Sequence, residues 1–140
     1  MPSIMKGEVS MKLDYDCCRD VLLLLEQASY NETVSFSSLK ISLSKYDEET
    51  LSYTCIKLKE ANMIDGHFIN CDSYNMPIVH SITDITILGH EFLSEIHEDT
   101  VWNGVRSVAA KIGVTSISAL TQIASSVVTE LIKAHFGFAI

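Results

Sequence analysis

The sequence has 140 residues, 47% hydrophobic and 20% charged, with 18 acids against 10 bases for a net charge of −8. That length suits one domain and excludes an eight-stranded α/β barrel or a two-domain dehydrogenase. Two prolines and six glycines exclude collagen-like and disordered chains, and the acidic balance opposes tight binding to a phosphate backbone.

Residues 1–13 read as a flexible leader with Met11 as a second candidate start. Asp14 or Asp16 caps a helix running to about Ser29, with Cys17, Val21, Leu24, Leu25 and Ala28 on one face. Leu22 and Leu23 widen that face, so the helix is expected to be buried on more than one side. Val34-Ser35-Phe36 reads as a very short strand. Ser37 is the expected cap of a short helix, Ser38 to Leu43, with Leu39 and Leu43 inward. Asp47 then caps a helix from Glu48 to Asn62. Its inward positions are Leu51, Cys55, Leu58 and Ala61 or Asn62, its outward ones Glu48, Glu49, Ser52, Lys59 and Glu60, and Lys57 lies near the boundary.

Short β-prone runs follow around Gly66, then the turn-rich Asp72–Pro77, then a strand over Ile78–Ile82. Together they predict a hairpin. Helix, short strand, helix, helix, hairpin is the order of a winged helix-turn-helix domain. Thr86 caps a helix to about Ile96, with Leu88, Phe92, Leu93 and Ile96 inward. Asp99 is the expected cap of Val101–Ile112, whose apolar face is Val101, Trp102, Val105, Val108, Ala109 and Ile112, and Gly113 ends it. The last helix, Ser116 to about His135, carries one apolar stripe of Ile117, Leu120, Ala124, Val127, Val128, Leu131 and Ile132. That is more than a surface helix needs. Self-association through Ile117, Leu120, Ala124, Val127, Val128 and Leu131 is expected, a dimer above all. Intramolecular docking is the bland alternative. A membrane-surface helix fits less well, because the polar face is Ser/Thr rather than Lys/Arg.

Four blocks carry a resemblance. They are Met11–Asp16 with Arg19-Asp20 behind; Tyr46–Tyr53 running on to Leu58–Ile64; Ile85–Leu93 with Ile96; and Asp99-Thr100-Val101-Trp102. Over roughly residues 11–132 the chain resembles an uncharacterised family of phage and prophage proteins of unknown function with a winged-helix-like domain. The resemblance implies that fold, a phage or prophage origin and the cytoplasm of a bacterial host. It implies no catalytic or binding residue. Cys17 and Cys18 stand where aliphatic residues are expected.

Chemistry-bearing patterns are sparse. None of Cys17, Cys18, Cys55 and Cys71 forms a C-x-x-C pair, which predicts reduced, mostly buried thiols. His90-Glu91 lacks the second histidine that a helical zinc site needs four residues on, since position 94 is serine, so no metal or cofactor is expected. His90 is expected to order its helix start or to pack beside Trp102, and His67 and His80 to face each other across the hairpin. No glycine-rich phosphate loop or nucleophile elbow is present, and Asp47-Glu48-Glu49 suit a helix N-terminus electrostatically. The chain is therefore expected not to be an enzyme.

Charge decides between the remaining classes. Residues 67–100 hold 6 acids and no Lys or Arg, whereas residues 101–140 hold 1 acid and 3 bases. The helix that would enter a DNA groove starts with three carboxylates, and the hairpin turn has no cation. The expectation is an α+β protein, with a winged helix-turn-helix domain over 14–97 and a C-terminal helical extension over 98–140. It acts by binding a host or phage protein, and no membrane is involved. The alternative is a DNA-binding regulator using helix 48–62 and the 67–82 hairpin. In either case Lys40, Lys45, Thr50, Ser52, Tyr53 and Lys57 are the candidate binding residues.

Overall fold

A computed structural model describes residues 11–114 and 116–136. The first ten residues of the expected leader lie outside that range. Nine elements follow in order: α1 (Tyr15–Glu26), β1 (Val34–Ser35), α2 (Phe36–Ser42), α3 (Glu48–Glu60), β2 (Ile64–Ile69), β3 (Ile78–Ile85), α4 (Ile87–Ile96), α5 (Asp99–Ile112) and α6 (Ile117–Phe136). The fold is mixed α+β, six helices with one small antiparallel sheet of order β1-β3-β2.

Local chemistry sets most of the boundaries. The Asp14 carboxylate accepts from the Cys17 amide at 3.0 Å and opens α1. Thr86 does the same for α4 through the Gly89 amide. Such caps contribute about 1 kcal/mol each. At the end of α3 the Met63 amide donates to the Leu58 carbonyl and the Asn62 amide to that of Lys59, with Asn62 at φ 61°. This Schellman closure stops the helix at Glu60, two residues short of the expected Asn62. At the end of α5 Gly113 takes φ 81°, the left-handed conformation that favours glycine.

Other expected starts move. The cap of α2 is Ser35, not Ser37: the Ser35 hydroxyl accepts from the Ser38 amide, so the helix begins at Phe36. Glu98, not Asp99, occupies the cap position of α5, because the Asp99 carboxylate is held by Arg19.

One buried cluster joins the helices to the sheet and runs from Cys17 to Ala124. On α1 the buried residues are Cys17, Cys18, Val21, Leu22 and Leu25; Leu22 widens the face as expected, Cys18 joins it, and Leu24 is only partly buried, with Ala28 beyond the end of the helix. On α4 Leu88 is 48% exposed, and Gly89 faces inward in its stead. A Cβ at Gly89 would fall on the Met63 carbonyl oxygen, so α4 crosses the end of α3 backbone to backbone. On α5 Trp102, Val105 and Ala109 are buried while Val108 and Ile112 face out. The core crosses residues 97 and 98, the expected domain boundary, because Ile117, Leu120 and Ala124 of α6 belong to it. At the other end Leu13 packs against the core and leaves the expected leader.

Candidate interaction surface

The six candidate binding residues do not form one surface. Lys40 Nζ lies 3.2 Å from the Glu48 carboxylate at the α2–α3 junction. Lys45 pairs with Asp20 of α1 at 3.2 Å. Thr50 lines a groove with Leu13, Asp16 and Arg106, on the side of α3 that meets α1. Tyr53 and Lys57 line a different groove, against residues 11–13 and 116–118, where the Tyr53 hydroxyl donates to the Met11 carbonyl. Lys57 lies over the Tyr53 ring and bonds Glu60 at 2.9 Å, and that carboxylate pushes its pKa up. Ser52 alone shares the outward face with Glu48, Glu49, Lys59 and Glu60, and Lys59 reaches Asp65 at 3.5 Å. All four lysines near α3 are therefore neutralised by carboxylates of the same chain.

The hairpin has its own character. His67 and His80 face each other across β2 and β3, with ring centroids 6.3 Å apart and edge to face. Ile69 and Ile78 pair at its far end and are 51% and 42% exposed, beside the exposed Tyr74 and Met76. The end of the hairpin is thus apolar, with Asp72 its one charge in the connecting turn.

A polar cluster that the periodicity could not reveal joins α1 to α5. The Arg19 Nε donates to the Ile96 carbonyl at 2.9 Å, and its Nη2 reaches the His97 carbonyl and the Asp99 carboxylate at 2.7 and 2.8 Å. The same guanidinium stacks over Trp102, whose Nε1 donates to Asp16 at 2.8 Å. Arg106 Nη1 donates to both oxygens of that carboxylate, at 3.1 and 2.9 Å, while its Nη2 reaches the Asn103 side chain. Tyr46 donates to Asp20, and burial together with that carboxylate pushes the Tyr46 pKa up. Asp16, Arg19, Asp20, Tyr46, Ile96, Asp99 and Trp102 come from the four blocks that carry the family resemblance. Those blocks meet here and clamp the fold. Among the described residues every buried side-chain polar atom has a partner. His90, in contrast, lines a groove with residues 25–34 and 82–85 instead of packing beside Trp102.

The thiols are core groups. Cys17, Cys18 and Cys55 are free and buried. Burial pushes Cys17 and Cys55 up to about 12 and raises Cys18 as well, so none is a ready nucleophile. Among the described residues no group of three or more His, Cys, Asp or Glu is placed to hold a metal, and no helix is long and apolar enough to cross a membrane.

The expected oligomer stripe divides. Ile117, Leu120 and Ala124 are buried within the chain, because α4 and α5 already cover the first half of α6. They are corrected to core residues. Val127 and Val128 are half-buried, and Leu131 and Ile132 are 45% and 44% exposed.

Comparison with known proteins gives a family and no activity. Residues 12–115 match the family described as Hypothetical protein (DUF2513). An uncharacterized protein of Haemophilus influenzae is 32% identical over 124 residues, covering 87% of this chain and 99% of the relative. No solved structure matches.

Proposed function

The chain belongs to the DUF2513 family of hypothetical proteins, and on that premise we propose that it is a non-enzymatic phage or prophage accessory protein of winged-helix type, binding a host or phage protein in the bacterial cytoplasm. The winged-helix reading draws on element order: α1, β1, α2 and α3 precede a hairpin whose β3 lies between β1 and β2. The phage setting draws on the four-block resemblance.

One observation favours a protein over DNA. Lys40, Lys45, Lys57 and Lys59 are each paired with a carboxylate, Glu48 and Glu60 of α3 among them, and the outward face of α3 adds the exposed Glu49. A groove-reading helix needs free cations and donors toward phosphates and bases. A helix face without a free cation, and separately a hairpin end with exposed Ile69, Tyr74, Met76 and Ile78, suit contact with a protein rather than with a phosphate backbone. Anisotropy with mixed-sequence duplex and with the gene's own upstream DNA, at low and physiological salt, tests this. No binding at either salt is expected. Salt-sensitive binding that is tighter on the upstream duplex overturns the proposal and makes the chain a regulator acting through helix 48–62 and the 67–82 hairpin.

A further inference from the structure

The first half of α6 is spent on the core, and the second half is not. A Cβ at Gly104 of α5 would lie 3.7 Å from the Val127 side chain, so the antiparallel α5 and α6 are level at that point. Residues after Leu131 therefore run past the first turn of α5. Ile132 sits there, 44% exposed.

A groove lies beside the same helix. It runs between α4 and the first half of α6 and is lined by Leu88, Glu91, Glu95, Ser118, Thr121 and Ser125 among others. At 100° per residue, Ser118, Thr121, Ser125, Val128 and Ile132 share one side of α6. A large apolar side chain and a groove floored by small ones thus occupy one helix face, about 16 Å apart along the axis. Two such helices running antiparallel bring each Ile132 onto the other's Thr121, with Ser125 and Val128 next to the two-fold axis. Every contact is then made twice, as an isologous interface requires. Charge is compatible. The groove wall supplies Glu91, and Glu95 that accepts from Ser125 at 2.9 Å, while the incoming helix end carries His135 and Lys133, the latter shared with Glu130 at 3.3 Å. The remaining face of α6 is Ser/Thr-rich, unlike the Lys/Arg face of a membrane-surface helix.

We propose that two copies of this chain pair through antiparallel α6 helices, each seating Ile132 in the α4–α6 groove of the other. The pairing is independent of what the outward face of α3 binds. Light scattering on the full chain at micromolar concentration should give twice the 15.5 kDa chain mass. Ile132→Asp changes an exposed position. It should halve that mass and leave the far-UV spectrum unchanged. In a Cys71→Ser background, mixing the single variants Ser125→Cys and Val128→Cys should give a disulfide-linked dimer of one chain of each under mild oxidation. A monomeric wild type overturns the proposal, and if that monomer sediments with anionic vesicles the face belongs to a membrane surface. A dimer that survives Ile132→Asp, or that the cysteine pair fails to link, overturns this geometry.

Discussion

The Arg19 guanidinium bonds the Ile96 carbonyl at 2.9 Å across 77 residues of sequence. Ile96 ends α4, where carbonyls lack helical partners and the dipole favours a cation. Arg19 also reaches His97 and Asp99, and its side chain is only 12% exposed. It pins α1 to the α4–α5 corner.

Arg19→Ala should therefore cost about 1–3 kcal/mol, since it leaves the part-buried Ile96 carbonyl without its donor and removes the packing over Trp102, while the exposed His97 carbonyl and Asp99 carboxylate turn to water. Arg19→Lys should recover only part, because one ammonium cannot present the fork. Denaturant unfolding measures both. A loss below about 1 kcal/mol for Arg19→Ala would show that the clamp is incidental.

Asp16 and Arg106 pair at 2.9 Å, yet the two residues should behave differently when removed. Arg106 is half exposed, so Arg106→Ala should cost less than about 1 kcal/mol. Asp16→Ala also strips the acceptor from the buried Trp102 indole and should cost about 1–3 kcal/mol. Equal losses would contradict this division.

Gly89→Ala should destabilise by at least about 2 kcal/mol, because the new methyl meets the Met63 carbonyl oxygen, which is backbone and cannot swing aside. Gly104→Ala makes an ordinary contact instead and, at a helix-interior position, should stabilise by up to about 1 kcal/mol. Thermal unfolding of the two variants compares them directly.

Stability should fall at alkaline pH. Burial holds the Cys17 and Cys55 thiols protonated up to about 12, from an ordinary 9.0, and raises Cys18 too. The unfolded chain loses these protons first. The contribution is full below pH 9 and declines toward pH 12, by up to about 1.4 kcal/mol per pH unit for each thiol. Cys55→Ala should make the decline shallower by one thiol's share. Urea unfolding between pH 8 and 10.5 under reductant reads the slope, and an unchanged slope in Cys55→Ala would refute the assignment.

Much of the fold was legible because its causes are local. Apolar spacing placed every helix within a few residues, and Asp14 and Thr86 cap where their side chains reach their own third amide. The hairpin was legible from its turn residues. Leu88 misled, because periodicity places an apolar residue inward without showing that α4 crosses a backbone there, where only Gly89 fits. Ser37 misled because two further serines could serve as the cap, and the chain enters α2 straight from β1.

By itself the sequence determined the order of elements, the buried thiols, the acidic balance and the one apolar stripe of α6. Those depend on residue type and on spacing along a single helix or strand. Only the tertiary structure decided that Arg19 meets Ile96 and Asp99, that the lysines near α3 are all tied to carboxylates, and that half of the α6 stripe is core. Each of these depends on which surfaces pack together, and a helical period is the same whether its stripe meets its own chain or remains exposed.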